Sequence, residues 1–285
     1  MSRRICVIGA NGQLGSDICQ SFNQLGDRVL GLNHDDVEIA DIDSLRQTLR
    51  ETKADVVVNT AAMHHVGKCE DDPQQAFLVN GIGSRNLALV CREFQYPLIH
   101  ISTDYVFDGK KKSPYIETDR PVPLNIYGNT KLSGECFIES IAEKFFILRV
   151  SGIYGKNSCR AKGSNFVQTM LRLAGEKDEI RVVDDEILTP TFTEDISNQI
   201  VELLNGEPEY GLYHVTAEGA CSWFEFAAEI FSITGTDIVL NPADPGEFAG
   251  NVQRPKHCVL ENKRLKDQNL NVMSHWKEGL KKYLS

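Results

Sequence analysis

The first 150 residues alternate short β-rich runs with longer amphipathic stretches, and this alternation constrains the fold more than any other feature. The apolar runs Arg4–Ile8 and Arg28–Leu32 have the length and composition of buried strands. Strands that alternate with helices predict a doubly wound parallel sheet with helices on both faces. Further strands are predicted over 55–59, 97–102 and 145–150. Helices are predicted from the glycine loop to Leu25 and over 44–52, 73–94 and 127–143, and Phe77, Ile82 and Leu87 of the helix over 73–94 are expected to point inward.

After residue 150 the predicted segments become shorter, and glycine and proline interrupt them more often. Helices are predicted over 165–174, 193–204 and 222–234. We therefore predict a nucleotide-binding domain over 1–150 and a smaller substrate-binding lobe over 151–285, with some of its segments returning to the first domain. Residues 241–255 hold three prolines and two glycines, which predicts a loop or lid.

Composition excludes several classes of function. The net charge of −10 argues against a protein that binds nucleic acid without sequence preference. The apolar runs are too short to cross a bilayer and no signal peptide is recognisable, so we predict a cytoplasmic protein with no membrane partner. The eight cysteines form no CxxC pair and no zinc-like spacing, which predicts reduced buried thiols and no metal site.

A glycine loop follows the first predicted strand directly and opens a helix. A pyrophosphate needs backbone N–H groups at a helix N-terminus and no side chains in its way. Gly9 would supply the tight turn, Gly12 the approach to the phosphates, and Gly15 the close packing of helix on strand. The loop thus predicts a Rossmann-like dinucleotide site, and its binding residues are Gly9, Asn11, Gly12, Gln13, Leu14 and Gly15.

The sequence does not decide between NADPH and NADH. An acid at the end of the second strand would bind the adenosine ribose and favour NADH, whereas a cation there accommodates a 2′-phosphate. The strand ends in Leu32, Asn33 and His34, with acids only at the two positions that follow. Asp41 and Ile42 lie where an adenine contact is expected, so both cofactors stay open.

Three residues in two separate segments indicate acid–base chemistry. Tyr127 and Lys131 are spaced i,i+4 on a predicted helix and therefore share a face. An ammonium beside a phenol stabilises the phenolate, which brings the pKa of the phenol toward the working range. Thr103 follows a central strand at the sheet edge where ligands bind in open α/β folds. The order and spacing of these elements are more specific than any one of them.

On these residues the chain resembles the dTDP-4-dehydrorhamnose reductase family of the extended short-chain dehydrogenase/reductases. The most distinctive of the stretches that carry the resemblance is 101–109, ISTDYVFDG. The resemblance covers nearly the whole chain, and its other stretches are 9–15, 59–62, 127–135, 165–170, 182–185, 211–214 and 254–255.

The resemblance implies hydride transfer from NADPH or NADH to the 4-keto carbon of a nucleotide-linked deoxysugar. Tyr127 would protonate the developing alkoxide, Lys131 would bind the nicotinamide ribose and tune Tyr127, and Thr103 would complete the triad. Ala61, Ala62 and Ser102 would line the cofactor with the glycine loop. Residues assigned to the substrate are Thr103, Asp104, Tyr105, His65, Asn165 and Arg254.

Two departures from the family pattern fall on the expected substrate side. Gly152 stands where the family usually has an aromatic residue, and Val66-Gly67 stands where it tends to a Val-Asp pair. We therefore expect intact reductase chemistry with the identity of the sugar left open. The pocket beside Gly152 is expected to be roomier, or to be filled by the sugar itself.

Other functions stay open at this stage. A regulatory subunit that binds a nucleotide without catalysis is one, since the regulatory subunit of methionine adenosyltransferase is similar to this family. A nucleotide-sugar epimerase or dehydratase is another, because Asp104 follows Thr103 as an acid does in many dehydratases. A homodimer is one of the oligomeric states that the sequence leaves open.

Overall fold

The computed structural model describes residues 2–157, 163–244, 246–247 and 250–285. Cys159 therefore lies outside the described residues, as does part of the predicted loop over 241–255. In chain order the strands of the described part are β1 (Arg4–Ile8), β2 (Arg28–Leu32), β3 (Val56–Asn59), β4 (Leu98–Thr103), β5 (Phe145–Val150), β6 (Ile153–Tyr154), β7 (Glu179–Val182), β8 (Ile187–Leu188), β9 (Thr191–Phe192), β10 (Gly211–His214), β11 (Cys221–Ser222), β12 (Val239–Pro242) and β13 (His257–Cys258).

Helices follow most of the strands. A π-helical segment, Phe77–Gly83, joins α4 to α5, and a short 3₁₀ turn, Asp104–Val106, follows β4. In the same described ranges the helices are α1 (Gln13–Gln24), α2 (Ile42–Thr52), α3 (Val66–Asp71), α4 (Pro73–Ala76), α5 (Ser84–Glu93), α6 (Ile126–Ile141), α7 (Phe166–Ala174), α8 (Thr193–Asn205), α9 (Trp223–Thr234), α10 (Lys263–Asp267) and α11 (Trp276–Leu284).

The main sheet confirms the predicted doubly wound parallel architecture. Across the described residues its strands pair in the order β2-β1-β3-β4-β5-β10, and every pairing is parallel. One face packs against α1 and α8, and the other packs against α2, α5 and α6. The carboxyl ends of β1, β3 and β4 therefore meet at one edge, where the chain continues into the glycine loop, Thr60 and the 3₁₀ turn.

Segments beyond residue 150 build both the main sheet and a separate apolar cluster. Strand β10 pairs with β5, and α8 packs on α1. The separate cluster lies around α7, α9 and α11 and includes Tyr154, Phe192 and Phe226. The boundary at residue 150 stays a prediction.

The helix predicted over 73–94 is wrong in one respect. We expected Phe77, Ile82 and Leu87 to point inward, but Phe77 and Ile82 are exposed and Leu87 is buried. The reason is the π-helical segment, in which hydrogen bonds run i→i+5. Residues five apart then share a face, so Phe77 and Ile82 point outward together. The 3.6-residue period assumed from sequence does not hold there.

The described cysteines are all free thiols, and the side chains of most are buried. Burial raises the pKa of Cys6 to about 12, which keeps that thiol protonated. In the part of the chain that the structure describes, no helix combines the length and the apolar character that a bilayer crossing requires.

A buried ion pair fixes α6 against the sheet. Glu135 of α6 accepts hydrogen bonds from Arg149 Nε of β5 at 3.0 Å and Arg149 Nη2 at 2.6 Å. The Ser102 hydroxyl of β4 also donates to Glu135. Both charged side chains are at most 3% exposed. A buried pair of this kind is costly to break, because removing one partner leaves the other charge uncompensated.

We expect Arg149→Met to lower the free energy of unfolding by about 3–5 kcal/mol, because Glu135 would stay buried without its cation. The matched control is Arg172→Met, which breaks an exposed pair with Glu176 and should change it by less than about 0.5 kcal/mol. Urea unfolding of both variants measures the difference. Equal losses in the two variants would show that the buried pair has no special role.

Candidate active site

The glycine loop has the geometry that its spacing predicts. Gly9 has a φ of +82°, in the region that favours glycine. A Cβ at Gly15 would lie 2.2 Å from the Gly9 carbonyl oxygen, so only glycine allows α1 to pack this closely on the turn. Gly12 is the N-cap of α1, and among the described residues no side chain makes a capping hydrogen bond to the start of this helix. The first N–H groups of α1 are therefore available to an anion.

A cavity of about 350 Å³ lies between the glycine loop and the carboxyl ends of β3 and β4; we call it the sheet-end cavity. Gln13 lines it, and the buried Nε2 of Gln13 has no hydrogen-bond partner among the described residues. A buried unpaired donor beside bare helix N–H groups fits a phosphate-bearing cofactor. Its lining includes these predicted cofactor residues: Gly12, Gln13, Leu14, Gly15, Ala62, Ser102, Tyr127 and Lys131.

Besides Gly9, four predicted cofactor residues do not line the sheet-end cavity. Asn11 is exposed at the tip of the loop. Asp41 uses its carboxylate to cap α2 by accepting from the N–H groups of Asp43 and Ser44, with Ile42 as the first residue of that helix. Ala61 donates its N–H to Asn59 Oδ1 at 3.1 Å. Neither Asp41 nor Ile42 lines the sheet-end cavity, so their adenine contact stays a prediction.

The structure brings the three predicted catalytic side chains to the sheet-end cavity. Thr103 is buried at the end of β4, whereas Tyr127 is half-buried on the first turn of α6. Burial raises the pKa of Tyr127, and a hydrogen bond with Thr103 opposes that rise. Tyr127 is therefore a neutral phenol at neutral pH and holds a proton that it can donate.

Lys131 lies one turn after Tyr127 with its side chain only 2% exposed. Its Nζ donates to the Ile101 carbonyl at 2.7 Å and lies 3.1 Å from His100 Nε2. Burial lowers the pKa of Lys131 to about 8, and the negative charge of Glu135 opposes this change. The amine thus titrates close to neutral pH rather than near 10.5. His100 is a site residue that the sequence analysis missed.

Asp104 holds Thr103 in place. Its Oδ1 accepts from the Thr103 hydroxyl at 3.0 Å, and its Oδ2 accepts from the Ser151 hydroxyl at 2.7 Å. Burial raises the pKa of Asp104 to about 6, while these two hydrogen bonds lower it. Both carboxylate oxygens are therefore engaged by the protein. Ser151 had no signal in the sequence, because its approach to Asp104 depends on the pairing of β4 with β5.

Two predicted ligand residues use their polar groups within the fold. The Ser102 hydroxyl donates to Glu135, so its side chain points into the ion pair. Asn165 caps α7 through Oδ1, and its Nδ2 donates to the Gly155 carbonyl at 2.8 Å and to Tyr283 Oη at 3.1 Å. Both residues line the sheet-end cavity, but these bonds occupy the side-chain groups that we assigned to ligands.

A second cavity of about 930 Å³ adjoins the first on the side of α7 and β7; we call it the lobe cavity. His65, Tyr105 and Arg254, all predicted substrate residues, line it. The His65 imidazole also caps α3 by accepting from the Lys68 N–H at 3.2 Å. The ring of Tyr105 meets that of Tyr127 edge-on, with centroids 5.8 Å apart. This contact joins the lobe cavity to the catalytic side chains.

Glu186 and Trp223 line both cavities, and the sequence analysis predicted neither of them as a site residue. Burial raises the pKa of Glu186, while the positive charge of Arg254 opposes that rise. In the sequence Glu186 ends a run of three acidic residues, a pattern typical of a solvent-exposed segment, so it gave no sign of a site residue. Trp223 packs on Phe166 with ring centroids 4.6 Å apart and on Phe226 with centroids 6.3 Å apart, and it also lines both cavities.

Leu188 occupies the space beside Gly152. Gly152 has a φ of +53°, and a Cβ there would lie 2.7 Å from Leu188 Cδ1. The place where an aromatic side chain would begin is thus taken by a leucine, on a backbone that favours glycine. The expectation that the pocket is roomier at this point is therefore wrong, because the Leu188 side chain fills part of the space that the missing aromatic ring would occupy.

Comparisons with known proteins place this architecture in a family. The family model described as RmlD substrate binding domain matches residues 3–285. This chain belongs to the dTDP-4-dehydrorhamnose reductase family. The resemblance seen in the sequence is therefore confirmed, and so is the Rossmann-like fold that it implied.

Relatives in this family align over nearly their full length. The spore coat polysaccharide biosynthesis protein SpsK of Bacillus subtilis is 38% identical, with 99% of this chain and 96% of that protein covered. The dTDP-4-dehydrorhamnose reductase of Escherichia coli is 32% identical, with coverages of 99% and 97%. The crystal structure of the Bacillus anthracis dTDP-4-dehydrorhamnose reductase in complex with NADP is 36% identical, with a TM-score of 0.94 and coverages of 100% and 99%.

Asp104 should make stability depend on pH. Its pKa in the folded protein is about 6, above the ordinary value of 3.8. Between pH 4 and 6 the folded state binds more protons at this site than the unfolded state does. We expect the contribution of this group to the free energy of unfolding to fall as pH rises through that window, by up to about 3 kcal/mol.

The variant Asp104→Asn removes this titration and keeps the side-chain shape. The free energy of unfolding of the variant minus that of wild type should therefore be larger at pH 7 than at pH 4, as measured by urea unfolding at both pH values. If that difference between the two proteins were the same at both pH values, Asp104 would not have the raised pKa.

Proposed function

We propose that this protein reduces the 4-keto group of a dTDP-linked 6-deoxysugar with NADPH as the hydride donor. The observation that carries the proposal is the convergence of Thr103, Tyr127 and Lys131 on one cavity with the N-terminus of α1. Relatives named dTDP-4-dehydrorhamnose reductase and the relative solved with NADP support the substrate and the cofactor. A cytoplasmic location and a homodimer stay predictions from the sequence.

The protein supplies the proton, the orientation and the charge for this reaction. NADPH, when bound, supplies the hydride. Tyr127 donates its phenolic proton to the oxygen of the reduced carbonyl. Lys131 stabilises the phenolate that Tyr127 leaves behind. Thr103 has one hydroxyl proton, which Asp104 accepts in this structure, and Thr103 turns that proton to the substrate oxygen when the substrate binds. The glycine loop and α1 hold the pyrophosphate.

The nucleotide end of the substrate belongs in the lobe cavity. Arg254 offers a guanidinium that suits bidentate binding of a diphosphate. Phe166 and Trp223 offer aromatic surface beside it. The sugar then lies between Tyr127 and the wall formed by Gly152 and Leu188. This wall differs from the family pattern, so the sugar need not be the rhamnose precursor.

The geometry of Asp104 disfavours a dehydratase. In that alternative the acid beside the threonine must offer its proton to the substrate. Here both oxygens of Asp104 accept hydrogen bonds from protein hydroxyls, and the residue is 4% exposed. The Thermus thermophilus UDP-glucose 4-epimerase solved with NAD is 20% identical at a TM-score of 0.82, which shows a shared fold alone.

Replacing Tyr127 by Phe should lower turnover at least about 100-fold, because the proton donor is lost while the ring and its packing stay. The assay is oxidation of NADPH with dTDP-4-keto-6-deoxysugars as substrates. NADPH affinity, measured by fluorescence titration, should change less than about threefold, because the cofactor cradle is the glycine loop.

The matched control is Tyr210→Phe, an exposed tyrosine outside both cavities, which should keep full activity. Turnover by Tyr127→Phe close to that of the control would show that Tyr127 is not the acid. Absence of NADPH oxidation by the wild-type protein with every 4-keto sugar, together with a stoichiometric protein partner, would favour the regulatory alternative.

A further inference from the structure

A line of buried hydrogen bonds joins the end of β3 to the catalytic lysine. Ala61 N–H donates to Asn59 Oδ1 at 3.1 Å, and Asn59 Nδ2 lies 3.1 Å from His100 Nδ1. His100 Nε2 in turn lies 3.1 Å from Lys131 Nζ. Asn59 is 1% exposed and His100 is completely buried, so water does not substitute for these partners.

The orientation of the Asn59 amide decides the direction of the line. Since Oδ1 accepts from the Ala61 N–H, the amide group facing His100 is the NH₂, which can only donate. His100 Nδ1 must then carry its lone pair, and a neutral ring has its proton on Nε2. The Nε2–H group therefore points at Lys131 Nζ.

We propose that His100, set by Asn59, is a positioning residue that favours the neutral form of the Lys131 amine over the ammonium before the cofactor binds. A neutral amine accepts the Nε2–H bond with its lone pair and donates one N–H to the Ile101 carbonyl. Its remaining N–H is left for the cavity. An ammonium at the same place would put two donors opposite each other at 3.1 Å. The inference rests on the role of Lys131 in the proposed function.

Besides the Ile101 carbonyl, the described groups that face Lys131 include no free carboxylate that would hold it as an ammonium. Its own helix carries Tyr127, a neutral phenol, and Glu135, whose carboxylate is already bound by Arg149 of β5 and Ser102 of β4. From α3, Cys69 lies near Tyr127 as a protonated thiol, because burial raises its pKa to about 11. Burial alone lowers the pKa of Lys131 to about 8, and an N–H group facing the amine favours its neutral form further.

The tautomer of His100 tests the inference without any substrate. In ¹⁵N-histidine-labelled protein free of cofactor, two-bond ¹H–¹⁵N couplings distinguish a ring protonated at Nε2 from one protonated at Nδ1. His100 should be neutral and protonated at Nε2 between pH 6 and 8. Its resonance is identified by its loss in His100→Gln.

His214 is an internal control of the opposite tautomer. It is equally buried, and its Nδ1 lies 3.1 Å from the Tyr115 carbonyl and 3.2 Å from the Glu261 carbonyl. Carbonyls only accept, so His214 must be protonated at Nδ1. Finding His100 in the same Nδ1 form as His214, or as a charged imidazolium, would overturn the proposal.

The variant Asn59→Asp should reverse the direction of the hydrogen bonds from residue 59 through His100 to Lys131, and it provides the test on activity. A carboxylate only accepts, so His100 would move its proton to Nδ1 and offer Nε2 as an acceptor to a Lys131 ammonium. We expect the alkaline limb of the kcat/KM profile to move up by about one pH unit and the His100 tautomer to switch. A lower rate at every pH with an unmoved limb would contradict the proposal. Failure of wild type to reduce any sugar would count against the proposed function but leave the tautomer result standing.

Discussion

The carboxylate of Glu135 joins helix α6 to strands β4 and β5 inside the protein, and the candidate site depends on that junction. Lys131 lies four residues before Glu135 and Tyr127 eight residues before it, so one face of α6 carries all three. The hydrogen bonds from Arg149 and Ser102 fix the rotation of this face over the sheet. Thr103, which follows Ser102, then meets Tyr127 at the edge of the sheet.

A second constraint is the absence of side chains where the backbone passes close to itself. Gly9 and Gly15 let the turn after β1 fit against the start of α1, and the neighbouring Thr60 hydroxyl donates to the Ile8 and Gly9 carbonyls. This packing sets the N-terminus of α1 opposite the catalytic face of α6. The dinucleotide site and the acid–base site are therefore positioned by separate contacts on neighbouring strands, and they meet in one cavity.

Local spacing was enough to predict strands β1–β5, most of the helices, the glycine loop and the Tyr127–Lys131 pair, because each depends on residues a few positions apart. Strand β10 and the short strands beyond residue 150 were not predicted. It failed where register or helix type decides. Asn59 and His100 are 41 residues apart in the chain, and His100 and Lys131 are 31 apart. Only the pairing of β3 with β4 and the packing of α6 on the sheet bring these three residues together. The π-helical segment that turned Phe77 outward has no comparable signature.

In the proposed reaction the hydride of NADPH and the proton of Tyr127 reach one carbonyl group within the sheet-end cavity. The most direct test is reduction of a dTDP-4-keto-6-deoxysugar with NADPH deuterated at C4 of the nicotinamide, followed by NMR of the sugar product. When the transferred face of the nicotinamide carries the label, the sugar product should contain one deuterium at C4, in a single configuration. A product without deuterium from either labelled face, or one labelled in both configurations, would contradict the proposed reaction.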